Sequence, residues 1–406
     1  MNYSKDEVLQ YVSEEDVKFI RLAFCDVFGK QKNISIMPDE LPRAFEQGIA
    51  FDASAIPGFG DGARSDLFLH PEPETLMPLP WRPEHGRVVQ MFSGISGPEG
   101  EPFACDTRLL LKKAVGDAKK AGVDFTFGAE LEFYLFRLDE MGRPTKIPCD
   151  EAGYMDIAPD DRGENVRREI CLTLEQMGIR PESSHHEEGP GQNEIDFRYS
   201  DALTAADSAM TFQRVVKTVA DRNGLIADFS PKPIGNAPGN GFHINMSVRP
   251  FGDGRLFSEM IAGVLANVGA MTAFLNPSEA SYRRLGRHKA PLYVSWSAEN
   301  RSQLVRIPAA VGEFRRAELR SPDPTANPYL AFTLMIRAGL DGIERKLVLC
   351  PPSDINLFSA GIDELSAFGR LPGTIDEARA AAASSDFIRK HIPPQILSVY
   401  CGDRRP

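Results

Sequence analysis

The sequence predicts an α+β fold divided into two domains. Predicted helices are interleaved with strands that are not neighbours along the chain, which is typical of an α+β layer. No G-x-G-x-x-G motif follows a predicted strand, so the fingerprint of a doubly wound dinucleotide-binding fold is missing. At 406 residues the chain exceeds the usual length of one domain. We therefore expect a small domain over residues 1–101 and a larger one over residues 102–406.

The first elements of the chain predict a hairpin and a helix. Residues 17–24 and 32–37 are rich in β-formers and flank the turn residues 26–30. Residues 39–48 carry apolar side chains at helical spacing and end in a glycine. A further strand is predicted over residues 88–92.

Two segments of this domain read as loops. Residues 51–60 contain glycine and proline, and on local evidence Asp52 caps a backbone amide in a turn. Residues 96–102 form the strongest linker signal in the chain. This segment places the domain boundary near residue 102.

The larger domain should contain several long helices. One begins after Asp106 as N-cap and ends before Gly122. Others are predicted over residues 166–177, 203–223, 329–343 and 375–383. The apolar segment 256–275 is interrupted by Glu259 and Asn267, so we expect a buried helix and not a membrane span.

Residues 125–136 form the most informative predicted strand. Alternation places their aromatic and aliphatic side chains on one face and Glu130 with Glu132 on the other. Two carboxylates about 5 Å apart repel by roughly 3 kcal/mol at an effective dielectric constant of about 20. A divalent cation, an arginine or a shared proton would compensate this repulsion. The alternative is that both glutamates face water on an edge strand.

Four further segments share this logic of alternating faces, and one of them, residues 300–308, places arginines on both faces. They are residues 194–199, 242–248, 300–308 and 315–320. Together with the first strand and its neighbours they supply Glu130, Glu132, Glu187, Glu194, Glu318 and His243. A set rich in carboxylates suits Mg²⁺ or Mn²⁺ better than zinc. The same segments bring arginines, as phosphate transfer needs: Arg284, Arg301, Arg306, Arg316 and Arg320.

Composition excludes several classes of function. The formal net charge of −11 argues against nucleic-acid binding. The six cysteines are widely scattered, which favours reduced thiols and a cytoplasmic location over a disulfide framework or a zinc site. The N-terminus lacks the apolar run of a signal peptide.

Several ordered motifs make the chain resemble the glutamine synthetase family over nearly its full length. The motifs are Gly128-Ala-Glu-Leu-Glu-Phe133, His185-His-Glu187 with Gly191-Gln-Asn-Glu194, Pro238-Gly-Asn-Gly-Phe-His243, Asn300-Arg-Ser302 through Arg306-Ile-Pro308, and Arg316-Ala-Glu-Leu-Arg-Ser-Pro-Asp-Pro324. The resemblance implies an N-terminal β-grasp domain and a C-terminal catalytic domain with a curved antiparallel sheet flanked by helices. It also implies a homo-oligomer of two stacked rings, such as a dodecamer, in which the neighbour's N-terminal domain closes each active site.

The resemblance also implies roles for individual residues. One metal would be held by Glu132, Glu187 and Glu194, and the metal on the nucleotide phosphates by Glu130, His243 and Glu318. Glutamate would be bound by Gly239, Arg284 and Arg320. ATP would be bound by Glu182, Asn245, Ser247, Arg301, Arg306 and Arg316. Asp52 would cross the subunit boundary to help deprotonate the incoming nitrogen, which replaces the local interpretation of a turn cap.

The implied reaction joins glutamate to a nitrogen nucleophile. The γ-carboxylate attacks the terminal phosphate of ATP, and an amine or ammonia then displaces phosphate from the γ-glutamyl phosphate to give an amide. Two alternatives stay open at this point: a glutamine synthetase that uses ammonia, and a ring-forming homologue with a structural or regulatory role and no catalysis.

Two of the departures from the family pattern concern the predicted site. Ammonia-using members carry a glutamate in the loop before Ala290-Pro291, whereas Lys289 stands there in this chain. A cation should repel NH₄⁺, which favours an organic amine as acceptor. The alternatives are that Lys289 pairs with an acidic acceptor, that His288 acts as the base, or that Lys289 is only solvated. Asn245 replaces a histidine and still has a hydrogen bond to offer a phosphate.

Overall fold

The computed structural model describes residues 3–60, 65–82, 85–250, 253–309, 312 and 315–402. It contains a six-stranded sheet near the N-terminus and a ten-stranded sheet in the rest of the chain, with helices between and around the strands. This arrangement agrees with the predicted α+β class.

The N-terminal sheet is mixed. Its elements are α1 (Lys5–Glu14), β1 (Val17–Cys25), β2 (Gln31–Ile36), α2 (Leu41–Glu46), β3 (Ile49–Asp52), β4 (Asp66–Pro71), β5 (Met77–Pro78) and β6 (Arg87–Ser96). The strand order is β2-β1-β6-β4-β3, with β5 beside β6. Strands β1 and β6 are parallel, and β1 with β2 forms the predicted hairpin.

Two loop predictions for this region need correction. Phe51 and Asp52 belong to the end of β3, where they pair with β4, and the turn begins only after them. The predicted linker is a compact turn, because the amide of Gly97 donates to the carbonyl of Glu101 at 2.8 Å and Ser96 bridges to Pro102. A domain boundary near residue 102 stays a prediction.

The larger sheet is built around one long strand. The strands are β7 (Asp124–Leu138), β8 (Pro144–Pro148), β9 (Pro181–His186), β10 (Gln192–Phe197), β11 (Ser200–Asp201), β12 (Leu225–Asp228), β13 (Phe242–Arg249), β14 (Tyr293–Val294), β15 (Trp296–Ala298), β16 (Val305–Ile307), β17 (Ala317–Leu319) and β18 (Gly369–Arg370). The main path is β15-β16-β17-β13-β7-β10-β9, and only β15 with β16 is parallel along it. Strands β14 and β18 form a separate pair.

Strand β7 has the two faces that its sequence predicts. Phe127, Leu131 and Phe133 are fully buried, and the ring of Phe127 stacks on that of Phe332 with centroids 4.5 Å apart. Burial of such side chains contributes about 2 kcal/mol each, so this face fixes which way β7 is turned. The opposite face, with its carboxylates, is thereby directed away from the helices.

Helices lie on this sheet and around it. They are α3 (Thr107–Lys120), α4 (Glu164–Gln176), α5 (Ala202–Arg222), α6 (Gly254–Leu275), α7 (Glu279–Arg284), α8 (Pro328–Glu344), α9 (Ile362–Leu365), α10 (Ile375–Ser384), α11 (Asp386–His391) and α12 (Pro394–Cys401). Asp106 caps α3 by accepting hydrogen bonds from the amides of Arg108 and Leu109, as predicted. Gly122 and Gly178 follow α3 and α4 with positive φ, at the predicted stops.

Helix α6 is the one helix of the described residues that is long and apolar enough to cross a membrane by length and composition. In the fold, 61% of its apolar window is buried. It packs closely on α8, where a Cβ at Gly263 would lie 2.0 Å from the carbonyl oxygen of Ala338. Asn267 donates to the carboxylate of Asp341 at 3.2 Å. The segment is therefore a core helix in this structure.

Candidate active site

Strand register places the acidic side chains next to one another. Glu130 on β7 lies opposite His243 on β13 and opposite Asp196 on β10. Glu132, two residues further along β7, lies opposite Glu194. Because alternate residues of a strand share a face, all of these side chains project from the same side of the sheet. The arrangement follows from the apolar face of β7 being buried.

A further carboxylate on this face of the sheet, that of Glu318, is paired with two arginines. Glu318 on β17 lies opposite Asn245 on β13 and Arg306 on β16. Its oxygens accept from Arg306 Nη1 at 2.8 Å and from Arg320 Nε at 3.0 Å. Burial alone would raise the pKa of Glu318, but Arg320, His243 and Arg306 outweigh it and hold that pKa at about 2. Glu318 is therefore ionised at any working pH.

These side chains open into a cavity of about 380 Å³. Most residues that the sequence singled out line it: Glu130, Glu132, Glu187, Glu194, Gly239, His243, Arg284, Lys289, Arg301, Arg306, Arg316 and Arg320. The cavity is thus acidic along β7, β9 and β10 and basic towards β16 and β17. This division suits a site that holds both a cation and an anion.

The acidic cluster is tight enough to coordinate a metal ion. Nδ1 of His243 is 3.4 Å from Glu130 Oε2, and its Nε2 is 4.0 Å from Glu132 Oε1. One ligand atom from each of Glu130, Glu194 and His243 lies within 4.8 Å of the others. The donor set is carboxylate oxygen with one imidazole nitrogen, which fits Mg²⁺ or Mn²⁺.

The electrostatics of the cluster show that positive charge is lacking there. Burial and the charge of Glu132 raise the pKa of Glu187 to about 7. Burial and Glu130 raise the pKa of Asp196 to about 7. Burial and Asp196 also raise the pKa of Glu194. These carboxyls keep protons that a divalent cation would displace.

Some buried polar atoms of the cavity side chains lack hydrogen-bond partners among the described residues, which also indicates a ligand site. Asp196 Oδ1, His185 Nδ1 and Arg284 Nε are buried and have no hydrogen-bond partner among the described residues. All three side chains line the cavity. Unsatisfied buried polar groups are rare in folded proteins, and three of the twelve such atoms among the described residues belong to cavity side chains, which fits a site completed by a ligand.

Glycines let the backbone close tightly around the basic end of the cavity. A Cβ at Gly239 would lie 2.3 Å from the carbonyl oxygen of Pro231 and 2.9 Å from Arg284 Cγ. Arg284 is 3% exposed, and its Nη1 donates to the carbonyl of Ser321 at 2.8 Å. A side chain at position 239 would collide with this carbonyl oxygen, so only glycine fits beside Arg284.

Five predicted residues do not line the cavity. Glu318 and Asn245 lie directly behind it, where Asn245 Nδ2 donates to Glu130 Oε1 at 2.7 Å and Asn245 Oδ1 accepts from Arg316 Nε at 3.2 Å. Ser247 is buried and donates to the carbonyl of Arg315. Glu182 is an exposed residue of β9.

Asp52 is the fifth and lies in the N-terminal sheet. It is exposed, and its Oδ1 accepts from the amide of Ser54 at 2.8 Å, which is the turn cap that the local pattern predicts. Hydrogen bonds from the hydroxyl and the amide of Ser54 hold the pKa of Asp52 below its ordinary value. Its role in a neighbouring copy's site stays a prediction.

The segment 300–308 differs from its predicted strand. Only Val305–Ile307 is extended, and residues 301–304 form turns and bends. In a continuous strand Arg301 and Arg306 would point to opposite faces, yet both line the cavity. The turn makes this possible, and Arg320 Nη1 secures it by donating to the carbonyl of Arg301.

Some cavity residues were given no role by the sequence reasoning. They are Tyr154, Ser183, His185, Glu188, Gln192 and Asp196. Asp196 carried a usable signal, since it shares a strand face with Glu194. Gln192 was hidden at the start of β10, where its Nε2 donates to Glu132 Oε2 at 3.1 Å. Tyr154 belongs to an irregular loop with no periodicity to interpret.

Lys289 is not simply solvated. Its Nζ lies 2.5 Å from Glu188 Oε1 and 5.2 Å from the centroid of the Tyr154 ring. The three side chains come from three separate segments that meet at the mouth of the cavity. Lys289 therefore neutralises the carboxylate nearest to it.

Comparison with known families gives two matches that together span most of the chain. The family described as "Glutamine synthetase, beta-Grasp domain" matches residues 16–98, and that described as "Glutamine synthetase, catalytic domain" matches residues 104–405. The matches confirm the predicted fold, with a β-grasp sheet followed by a catalytic domain.

Individual relatives agree. The chain is 42% identical to a glutamine synthetase of Clostridium saccharobutylicum, over 98% of this chain and 93% of the relative. It is 43% identical to a glutamine synthetase of Methanosarcina mazei, over 98% and 92%. A solved GmaS–ADP complex superposes with a TM-score of 0.87 at 28% identity, covering 98% of this chain and 94% of the other.

Proposed function

Because the chain belongs to the glutamine synthetase family, whose members are ATP-dependent ligases that use Mg²⁺ or Mn²⁺, we propose that it forms γ-glutamyl amides from glutamate and an organic amine. The reaction would pass through γ-glutamyl phosphate. A carboxylate does not react with an amine near neutral pH, so phosphorylation supplies the leaving group.

The observation that carries this proposal is the division of the cavity into acidic and basic ends. Glu130, Glu132 and Glu194 converge from two paired strands, and the arginine-held Glu318 stands beside them. A phosphate-transfer site needs both halves, since cations neutralise the triphosphate while arginines stabilise the charge that spreads over the transferring group.

The chain's residues fall into two metal-binding sets in this proposal. Glu132, Glu187 and Glu194 would hold one ion near glutamate, and Glu130, His243 and Glu318 the other near the ATP phosphates. When bound, the ions neutralise negative charge on the reacting oxygens. Glu132 is prepared for this role, because Oε2 accepts from the amide of Gly241 at 2.7 Å and Oε1 is left facing His243.

The arginines would bind the two anionic substrates, ATP and glutamate. Arg301, Arg306 and Arg316 line the basic end and suit the phosphates of ATP. Arg320 and Arg284 are more deeply buried, and Arg284 lies beside Gly239. Burial lowers the pKa of Arg284, because its guanidinium is removed from water. A bound anion would compensate this buried positive charge. We assign the α-amino and α-carboxyl end of glutamate to Gly239 and Arg284.

The mouth of the cavity favours an organic amine as acceptor. One carboxylate there, Glu188, is paired with Lys289, so this group is not free to bind bare ammonium. Tyr154 and Met155 line the same mouth and are 44% and 57% exposed. Their apolar surfaces would bury the alkyl substituent of a primary amine. Each Å² of apolar surface that is buried would stabilise the bound amine by about 25 cal/mol.

Ammonia is the second candidate acceptor. It is favoured by the names of the relatives that are 42% and 43% identical, both of which are glutamine synthetases. Under either acceptor we propose that copies of the chain form a ring and that Asp52 of one copy acts in the site of the next.

Phosphate release separates these possibilities. Purified protein would be assayed with glutamate, ATP and Mg²⁺ against ammonium and a panel of primary amines, with Glu130→Gln as a matched inactive control. We expect turnover with at least one alkylamine at a higher kcat/KM than with ammonium. Turnover with ammonium alone would reject the amine proposal, and no release with any acceptor would favour a structural role.

A further inference from the structure

We infer that His186, which touches no substrate position, is a positioning residue that fixes Glu187 and the loop bearing Tyr154 at the mouth of the site. This inference rests on the proposed metal-dependent function. It arises from a fully buried group of polar side chains behind β9 that the proposed mechanism does not use: Asp150, Asp161, Arg167 and His186.

The imidazole of His186 has two contacts, and each fixes a different part of the chain. Its Nδ1 lies 2.7 Å from the carbonyl oxygen of Glu187, and its Nε2 lies 3.0 Å from Asp150 Oδ1. A carbonyl and a carboxylate are acceptors, so both ring nitrogens donate. The first bond holds the backbone of Glu187, a proposed metal ligand. The second connects that backbone to a separate loop.

Asp150 extends the connection to two further segments. Its Oδ1 also accepts from the amide of Gly191 at 2.9 Å, and its Oδ2 accepts from the amide of Arg162 at 2.9 Å. Gly191 has φ of 67°, and a Cβ there would lie 2.8 Å from the carbonyl oxygen of Leu135. The turn between β9 and β10 is therefore seated tightly against β7, with Asp150 as its anchor.

The loop between Asp150 and Arg162 carries residues of the cavity. Tyr154 and Met155 line it, and the amide of Met155 donates to the carbonyl oxygen of His186 at 3.0 Å. His186 thus holds this loop through its backbone and, by way of Asp150, through its side chain. His186 therefore contacts both segments that form the mouth, the one with Glu187 and the loop with Tyr154.

The group is a hydrogen-bond network and not a second metal site. Asp150, Asp161 and His186 have ligand atoms within 4.8 Å of one another, which is the spacing of a metal site. However, Arg167 already pairs with Asp161 and donates from Nη1 to Asn193 Oδ1 at 2.6 Å. With a guanidinium present and donors on both oxygens of Asp150, the carboxylates are satisfied without an ion.

Two conservative variants separate the hydrogen bond to Glu187 from the hydrogen bond to Asp150. The side-chain amide of His186→Asn replaces Nδ1 and keeps the bond to Glu187, whereas that of His186→Gln replaces Nε2 and keeps the bond to Asp150. His186→Leu removes both. Residues behind metal ligands typically change metal affinity by about 10- to 100-fold. His391→Leu, a half-buried histidine on α11, is the control.

The test is a Mn²⁺ titration of the full-length protein without substrates, followed by electron paramagnetic resonance of free Mn²⁺, together with the melting temperature of each variant. We expect His186→Leu to bind Mn²⁺ about tenfold more weakly, His186→Gln nearly as weakly, and His186→Asn within about threefold of wild type. We expect His391→Leu to bind as wild type does.

If all three His186 variants bound Mn²⁺ with the same affinity as one another and differed from wild type only in a lower melting temperature, His186 would have a structural role alone. That result would overturn the inference. So would a reversed order, with His186→Gln keeping affinity and His186→Asn losing it. Failure of the wild-type protein to bind Mn²⁺ would instead reject the proposed metal site itself. If His186→Leu does not fold, the comparison between the Asn and Gln variants decides.

Discussion

The imidazole of His243 lies directly opposite the carboxylate of Glu130 in the antiparallel pair of β13 and β7, with Nδ1 3.4 Å from Oε2. A slip of one residue by β13 in this register would turn His243 towards the helices and away from Glu130. The register is held by the buried apolar face of the same strands, including Leu131 opposite Phe242. The site is therefore maintained by the core beneath it.

Replacement of Glu130 should weaken metal binding without unfolding the protein. Glu130→Gln removes one negative charge from a cluster whose like charges repel, so we expect the melting temperature of the metal-free protein to be unchanged or higher. Mn²⁺ affinity should fall by at least about tenfold, because a ligand oxygen is lost. Calorimetric titration measures the affinity. Glu175→Gln on the exposed side of α4 serves as the control, and equal affinities in the two variants would contradict the assignment.

The stability of the metal-free protein should rise on mild acidification. The pKa of Glu187 and of Asp196 is about 7 in the fold, against ordinary values of 4.5 and 3.8. The folded state therefore binds more protons than the unfolded chain between these limits, and its stability falls as pH rises through about 7. In chelator, the melting temperature should increase from pH of about 8 to about 5.5. Saturating Mn²⁺ should abolish the increase, and Glu187→Gln should reduce it. A melting temperature that falls on acidification in chelator would refute this account.

Lys289 should influence the choice of acceptor. Lys289→Glu breaks the ion pair with Glu188 and places a second carboxylate at the mouth, which favours a small cation. We expect the ratio of kcat/KM for ammonium to that for an alkylamine to rise by about fivefold, the equivalent of roughly 1 kcal/mol for a partly exposed ion pair. Lys120→Glu, on an exposed part of α3, should leave the ratio as it is. A ratio that does not change would remove Lys289 from the acceptor site.

Mixing of subunits tests the proposed sharing of sites. If Asp52 of one copy acts on the catalytic domain of its neighbour, Asp52→Asn and Glu130→Gln subunits should each be inactive alone and regain activity when refolded together. In an equal mixture half of the N-terminal domains and half of the catalytic domains are intact, so about a quarter of the sites should be complete in a closed ring. No recovery on mixing would place Asp52 outside the neighbour's site.

Much of this site was predictable because strand periodicity is a strong signal. Glu130 and Glu132 were placed on one face by the apolar residues between them, and the structure has them there. The pairing of His243 with Glu130 and of Glu194 with Glu132 was beyond that reasoning, because alternation assigns a face but not a register. The roles of these residues came from the family resemblance and not from periodicity.

The failures have physical causes too. Arg301 and Arg306 line one cavity because the chain bends between them, and no local pattern in residues 301–304 distinguishes that bend from a strand. Tyr154 reaches the site from a loop whose position depends on the buried bond between Asp150 and His186. Such contacts join residues 36 positions apart in the sequence, and local propensity contains no information about them.

The most direct test of the account is a crystal soaked with Mn²⁺ and an ATP analogue that resists hydrolysis, examined by anomalous diffraction. The account predicts two anomalous peaks, one among Glu132, Glu187 and Glu194 and the other among Glu130, His243 and Glu318, with the phosphates beside the second. A density map that shows bound nucleotide but no anomalous signal among these carboxylates would contradict it.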